Sequence, residues 1–326
     1  MEVIILGSSA AIPVRERNLS STALRYKNEL LLFDCGEDLQ RNLIMAGLKL
    51  NKPLKILISH YHADHIIGLP GLLFRFSLIA RTAPLTIFGP RNLFRYLFVH
   101  RNVLGLKANY PITVIEIDND NNKLIMFETL DSEIPIEEQF LEDNVIFEND
   151  KYTLKYTEVD HSVLAFAYSF VEKPRFGKFQ PERAKKLGIP QSNLWKKLQE
   201  GESIEHNGKL IDPIREKIVG PKRPGRKVTY TGDTVPCEKL IELGRNSDVL
   251  IHESTFSKEL SDIALEKKHS TSVDAATDAK KMGAKQLILT HISSRYQEDA
   301  VKLLEEAKDI FPNTLIAEDL MRVELK

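Results

Sequence analysis

In Ser59-His60-Tyr61-His62-Ala63-Asp64-His65, four potential metal ligands fall within six residues, directly after the apolar run Leu54–Ser59. Neutral imidazole and carboxylate are good donors for Zn²⁺ and related ions. On an extended turn, His60 and His62 point one way while Asp64 and His65 point to a second position, a spacing that suits two metals better than one. The plain alternative is a solvated polar turn. Isolated histidines are common, but this density behind a buried strand is not. Two ions need further ligands. His161 (TEVDHS), Asp233 (TYTGDT), His252 (VLIHES) and His291 (LILTHIS) each stand at the C-terminal end of an apolar run. Polar side chains at strand ends are where α/β proteins place their sites. Singly, each reads as a satisfied histidine or a turn aspartate; together, beside the cluster, they read as a metal centre. Gly232 allows a tight turn that presents the Asp233 carboxylate, and a carboxylate can bridge paired metals.

The elements that must position these groups are short and mostly aliphatic. Glu2–Leu6, Thr22–Tyr26, Leu30–Phe33 and Leu54–Ser59 read as buried strands, and Glu37–Gly47 as a helix stopped by glycine. A long apolar helix is expected over Ile66–Arg81, then a strand over Leu85–Phe88 and a helix over Arg91–His100. From Thr113 to Val171 the pattern changes to hairpins, with breaks at Asp118–Asn122 and Glu148–Lys151. Val228–Thr231, Val249–His252 and Leu287–Thr290 return to strands, and Ser272–Gly283 and Tyr296–Ile310 to helices. Strands on both sides of a helical middle suggest two sheets with helices packed outside. Periodicity alone does not separate that from a doubly wound sheet.

Composition sets the outer limits. The chain has 326 residues, 42% apolar and 28% charged, which is globular. No apolar run approaches the roughly 18–20 residues that cross a bilayer, so no membrane association is expected. The N-terminus lacks the positive stretch of a signal peptide, so a cytoplasmic location is expected. Two cysteines, Cys35 and Cys237, exclude a disulfide scaffold and a cysteine-built zinc site. The net charge of −1 argues against a wholly basic nucleic-acid binder, yet Lys173–Lys227 holds 15 basic and 6 acidic residues. That is +9 on a remainder of −10. A basic run is often only a solvated face, but this one lies between two blocks of candidate ligands and is punctuated by proline and glycine.

Taken in order, these motifs resemble the metallo-β-lactamase superfamily, and within it the short-form ribonuclease Z family of tRNA 3′-processing endonucleases. GSSAAIPVRERN is similar to that family's glycine loop and Pro-x-x-x-Arg-Asn segment; LLFDCGE, HYHADHIIGLPGLL, YTGDT, HEST, HST and LTHISSRY follow in order. The resemblance runs from Met1 to about Glu318. It implies one catalytic domain over 1–326, an αββα sandwich of two mixed sheets with helices outside, and an inserted arm over 173–210. It also implies two zinc ions per chain, or other divalent metals. His60, His62 and His161 would hold one ion, Asp64, His65 and His291 the other, and Asp233 would bridge them. Water activated between the metals would attack the phosphodiester that joins the 3′ trailer to precursor tRNA. Asp64 would help deprotonate it, His269 would protonate the departing 3′ oxygen, and Glu253 would orient His269. The products would be a tRNA 3′-hydroxyl and a trailer 5′-phosphate.

His252 is read as a residue behind the ligands. Ser254 stands where the family more often has alanine, a small change. The resemblance assigns RNA contacts to Arg17, Asn18 and Arg295 near the substrate's 3′ end. In the arm it assigns phosphate contacts to Arg175, Lys178, Lys185, Lys186, Lys196 and Lys197. The arm's usual Gly-Pro step is replaced by Ser192-Asn193. A homodimer is also implied, in which one subunit's arm clamps a tRNA cut by the other. Two other readings compete: a small-molecule hydrolase on the same metal site, which needs neither the Glu253–His269 pair nor the arm, and an RNA-binding protein with a decayed site, which would not keep every ligand.

Overall fold

The computed structural model describes residues 1–325. The chain divides into two compact units. The larger comprises Met1–Glu148, Leu154–Phe170 and Lys227–Lys326, and the smaller Asn149–Thr153 and Val171–Arg226.

The larger unit is built on two stacked sheets. The first has nine strands, in the order Arg322–Glu324, Glu2–Gly7, Ser21–Tyr26, Glu29–Phe33, Leu54–Leu57, Leu85–Pro90, Ile112–Asp118, Lys123–Phe127 and Glu137–Phe140. From Glu29–Phe33 to Ile112–Asp118 neighbours run parallel, and the flanking pairs are antiparallel. The second sheet has seven strands, with Lys227–Tyr230, Val249–Glu253, Leu287–Thr290 and Thr314–Ile316 in parallel on one side. The central strands are mostly apolar because both faces are covered, with buried polar exceptions such as Lys55, Glu116 and Thr229. In Glu29–Phe33, Leu30 and Leu32 pack toward the helices Leu39–Met45, Gly68–Leu78 and Leu93–Leu104. The alternate residue Phe33 turns to the other sheet and stacks on Tyr230, centroids 5.4 Å apart. Outside the second sheet, Leu240, Ala275, Ala276, Ala279, Leu303 and Ala307 bring three further helices onto Leu250, Leu287 and Leu289. The architecture is the αββα sandwich, not a doubly wound sheet.

Two expected elements differ. The helix expected over Ile66–Arg81 is two helices, Ala63–Ile66 and Gly68–Leu78. The second begins at Gly68, where a β-carbon would lie 2.1 Å from the Gly36 carbonyl oxygen, so backbone fits where no side chain can. Asp64 and His65 therefore lie on a helical turn, and only His60 and His62 on extended chain. The helix expected over Tyr296–Ile310 starts at Val301, after the 3-10 turn Ser294–Tyr296. There the Tyr296 hydroxyl accepts from the Ser257 amide at 2.9 Å and donates to Ser257 Oγ.

The smaller unit has its own core of Ala184, Ile189, Leu198, Ile204, Ile211 and Ile218, with Phe179, Leu194 and Trp195 packed against it. These residues come from two short helices, Pro181–Lys186 and Asn193–Gln199, and a hairpin, Ile204–His206 with Lys209–Ile211. Its two chain ends run side by side: Arg175 and Arg223 exchange backbone hydrogen bonds, and the Gly177 amide donates to Gly220 at 3.1 Å. Ser192 caps the second helix through Leu194 N–H, at 3.3 Å. The compact unit thus extends beyond residue 210, to the end of the basic stretch.

Candidate active site

The ends of strands in both sheets, with the turn and helix after Leu54–Leu57 and the segment after Tyr152–Val159, bring the expected ligands together in two groups. His60, His62, His161 and Asp233 form one, and Asp64, His65 and His291 the other. His62 Nδ1 is 3.1 Å from His60 Nε2 and 3.2 Å from His161 Nε2. His65 Nε2 and His291 Nε2 are 3.3 Å apart, and Asp64 Oδ2 is 3.3 Å from His291 Nε2. A single oxygen, Asp233 Oδ2, lies 3.2 Å from His65 Nε2, 3.3 Å from His291 Nε2 and 3.7 Å from His60 Nε2. Tetrahedral ligands at about 2.0–2.1 Å from a zinc ion sit about 3.3 Å from one another. The spacings are those of donors around a cation.

The hydrogen bonds behind the cluster fix which nitrogen faces inward. His65 Nδ1–H donates to Asp34 Oδ2 at 2.7 Å, leaving Nε2 free. Ser59 Oγ donates to the same oxygen and takes the Nδ1–H of His60 at 2.9 Å. His161 Nδ1–H donates to the Lys268 carbonyl at 2.8 Å. Thr255 Oγ1 donates to Glu253 Oε2 at 2.6 Å, so it accepts Nδ1–H of His291 at 2.8 Å. In each case the inward atom is a lone pair. Only His62 faces inward through Nδ1.

Electrostatics agree with this. Burial pushes His60, His62 and His161 below the usual histidine range, toward the neutral form that binds metals. Burial alone would raise Asp233, but the imidazoles of His291 and His65 outweigh it and hold the carboxyl well below its usual range. Asp64 is held low too, against burial, by its hydrogen bond to His291 and by His65. His65 moves the other way: burial is outweighed by Asp233 and Asp34, and that field favours a cation at its Nε2. Two further features shape the cradle. Asp34 and His291 adopt positive φ, 60° and 56°, conformations unusual for residues with a β-carbon. Gly232 has φ 61° and leaves no room for a side chain, since a β-carbon would be 2.9 Å from Ser59 Cβ.

His269 lies at the edge of the cluster, its ring centroid 5.0 Å from that of His161. Its Nδ1–H donates to Glu253 Oε1 at 2.9 Å, and its side chain is 16% exposed while that of Glu253 is 1% exposed. Glu253 is fixed further by the Thr234 amide at 2.8 Å. Burial alone would lower His269, but the Glu253 carboxylate, with help from Asp233, raises it to about 9. His252, the neighbour of Glu253 on the same strand, faces the opposite way. Its Nδ1–H donates to the Glu253 carbonyl at 2.7 Å, and its Nε2 lies 3.6 Å from Asp278 in the helix Ser272–Met282. It belongs to the wall behind the site. His100 and His206 bond backbone carbonyls of Tyr96 and Gly188.

The expected RNA-contacting residues fall into three places. Arg17 and Asn18 lie on the loop after Gly7, where Arg17 Nη1 donates to Ser8 Oγ at 2.8 Å and to the Ala317 carbonyl. Arg295 is exposed, its guanidinium 5.0 Å above the Phe256 ring. Arg175, Lys178, Lys185, Lys186, Lys196 and Lys197 are exposed on the smaller unit, with Lys185 paired to Glu182 at 3.0 Å. There Lys178 lines a cavity of about 570 Å³ with Arg183, Lys217 and Arg223, which were counted in the basic stretch but not singled out. Asp34, Ser59 and Thr255 each lie in one of the motifs, but their residue types signal nothing there; only their contacts give them a role.

Two stacked sheets carrying paired histidine–aspartate donor groups at their strand ends define the metallo-β-lactamase fold. The short form of human tRNase Z shares it with a TM-score of 0.68 at 26% identity, over 100% of both chains. The metallo-β-lactamase fold protein YhfI from Bacillus subtilis shares the fold with a TM-score of 0.64 at 19% identity, over 99% of this chain and 98% of that one. Residues 207–292 match the family model described as a beta-lactamase superfamily domain, and residues 1–172 match the one described as anti-Pycsar protein Apyc1. Full-length similarity is more specific. A protein named ribonuclease Z from Methanosarcina mazei is 38% identical over 100% of this chain and 98% of its own length. Another of that name, from Nitrosopumilus maritimus, is 38% identical over 100% of both. The chain belongs to the ribonuclease Z family.

The site geometry makes Asp34 the residue on which the second donor group leans. Asp34→Asn should weaken metal binding by about 10–100-fold, measured by chelator competition on the folded protein. Unchanged affinity would show that His65 is oriented by packing alone.

Proposed function

We propose that this chain is a metal-dependent endoribonuclease that removes the 3′ trailer of precursor tRNA, leaving a 3′-hydroxyl on the tRNA and a 5′-phosphate on the trailer. The observation that carries this reading is the Glu253–His269 pair beside the donor groups, which supports His269 as a proton donor to the departing oxygen. Family membership supplies the substrate class. The match to the Apyc1 family model ends at residue 172, just where the long segment of the basic smaller unit begins at Val171.

In this reading His60, His62 and His161 would hold one zinc ion, Asp64, His65 and His291 would hold another, and Asp233 would be available to both. The all-imidazole and carboxylate donor set suits zinc, though other divalent metals can use the same donors. When bound, such a pair supplies an acidified water near neutral pH and neutralises charge on the phosphoryl group. The chain's own residues do the rest. Asp64 orients the attacking water and takes its proton. His269 gives a proton to the departing 3′ oxygen. Glu253 keeps His269 protonated and aimed, and Thr255 ties Glu253 to His291. The basic smaller unit grips phosphates of the tRNA body, without reading sequence, through Arg175, Lys178, Lys185, Lys186, Lys196 and Lys197; Arg17, Asn18 and Arg295 attend the 3′ end. No helix among the described residues is long and apolar enough to cross a membrane, and a cytoplasmic location fits the substrate.

We also propose a homodimer. Leu69, Leu72, Leu73 and Phe76 of Gly68–Leu78 are core, but Leu78 is 79% exposed and, on the helices beside it, Ile44 is 60% and Val103 77% exposed. That outer face is the natural place for a second copy. The pair Leu78→Lys and Val103→Glu should halve the mass seen by light scattering, whereas an unchanged mass would place the contact elsewhere.

The decisive experiment incubates purified, zinc-loaded protein with a trailer-bearing tRNA precursor and maps the cut. One cut at the 3′ end of the tRNA body is expected; cuts at unrelated positions, or none, would overturn the reading. Asp64→Ala should abolish cleavage while tRNA affinity stays within a few-fold. Reversing Lys185, Lys186, Lys196 and Lys197 to Glu should weaken tRNA binding and flatten its salt dependence, yet spare hydrolysis of a small phosphodiester. The acid role of His269 has a pH signature. Its raised value keeps it protonated through neutral pH, so its contribution is present below about 9 and is lost as pH rises through that value. Glu253→Gln should move the alkaline limb of the rate profile downward and cut kcat by about 10²–10⁴-fold. An alkaline limb that stays in place would assign the donor to another group.

A further inference from the structure

The loop after Gly7 touches Asp64 of the second donor group and the residue that follows His291. The Ala11 amide donates to Asp64 Oδ2 at 2.8 Å, the same oxygen that faces His291. The Ser8 carbonyl accepts from the Ile292 amide at 2.8 Å, and Ser9–Ala10 pairs in parallel with Ile292–Ser293. That pairing fixes the residue after His291, whose own φ of 56° gives it no regular backbone to rest on. Within the loop, the Ser9 amide donates to the Asn18 carbonyl at 2.9 Å and Val14 pairs with Arg17, while Ala11, Ile12 and Pro13 at its tip are exposed.

One carboxylate holds its base. Asp319 Oδ1 accepts from Ser8 Oγ at 2.9 Å, at the loop's first foot. Asp319 Oδ2 accepts from the Asn18 amide at 2.8 Å, at its second foot, and from Asn42 Nδ2 at 3.3 Å. Arg17 closes the ring by donating to Ser8 Oγ and to the Ala317 carbonyl. Asp319 is itself held in place by backbone bonds on either side: Ala317 N–H to Leu289 at 2.7 Å and Leu320 N–H to Ile5 at 2.7 Å. Burial raises its carboxyl above the usual range, an effect that Asn18, Ser8 and Arg17 resist.

We propose that Asp319 is a positioning residue for cleavage. By clamping Ser8 and Asn18 it sets the Ala11 amide against Asp64 and the Ser8 carbonyl against the segment that follows His291. The proposal rests on the reading of Asp64 and His291 as working groups of the site. It is distinct from RNA binding by the same loop, because it predicts a defect on substrates too small to reach Arg17 or the smaller unit.

The test compares wild type, Asp319→Asn and Ser8→Ala in the full-length, zinc-loaded protein. Each is measured on precursor tRNA and on bis-p-nitrophenyl phosphate, with melting temperature and zinc content recorded. Asp319→Asn keeps the shape but turns one acceptor into a donor facing donors. Its kcat should fall about 10–100-fold on both substrates, with KM for tRNA within about twofold. Ser8→Ala should give a smaller fall, and the double variant should be no worse than Asp319→Asn, because both remove one clamp. A lower melting temperature with kcat intact would make Asp319 structural only. A raised KM for tRNA with kcat intact on the small substrate would make the loop an RNA contact and nothing more. If wild type hydrolyses the small phosphodiester but not precursor tRNA, the proposed function fails while the Asp319 comparison still stands.

Discussion

The active site depends on a carboxylate that touches no substrate. Asp34 is fully buried between the two sheets, and its oxygens accept from the Ser59 amide, Ser59 Oγ, His65 Nδ1 and the Tyr230 hydroxyl, each at 2.7 Å. A buried charge is tolerable only when it is this fully hydrogen-bonded. Through Ser59 it sets His60, and directly it sets His65, so one residue disciplines a ligand in each donor group. Tyr230 belongs to the other sheet, so the same carboxylate also joins the two layers at the point where the ligands emerge. Asp34 has φ 60°, and the surrounding bonds are what hold that conformation in place.

Much of this was legible in the sequence because the site is written in local motifs. His60, His62, Asp64 and His65 announced themselves by density, and the remaining ligands by position after apolar runs. The two-sheet architecture followed from full-length motif order, since strand periodicity could not distinguish it from a doubly wound sheet. The spacing placed Asp64 and His65 at a second position, as the structure does, but on an extended turn; they lie instead on the helix Ala63–Ile66, and the next helix starts at Gly68, where backbone packs on Gly36. That close approach joins residues on different elements, and such contacts leave no periodic trace. Position after an apolar run alone ranks His252 with the ligands; its reading as a residue behind them comes from the family resemblance, and its contacts with the Glu253 carbonyl and Asp278 agree. Alternation along a strand sends neighbours to opposite faces, but which face meets the donor groups is set by how the sheets stack.

The supporting residues were harder to read than the ligands. Thr255 is a common residue in an unremarkable place until its hydroxyl is found between Glu253 and His291. There it joins Glu253, the hydrogen-bond partner of His269, to His291 of the second donor group through one oxygen. Asp319 lies near the C-terminus, and its partners Ser8 and Asn18 near the N-terminus. Only the folded chain puts them side by side.

That closure has a consequence for how the protein comes into being. The groups that make the site arrive at residues 34, 60 to 65, 161, 233, 253, 269 and 291, and the loop over them is fastened from residue 319. No shorter N-terminal piece of the chain contains a complete constellation. Contacts of such long sequence separation form late, after the entropy of closing large loops has been overcome. A chain emerging from a ribosome therefore carries its first histidines long before it can cut. The donor groups and the clamp on the loop beside them are all present only once the chain has passed residue 319, so the site is a property of the nearly whole fold and not of any early segment.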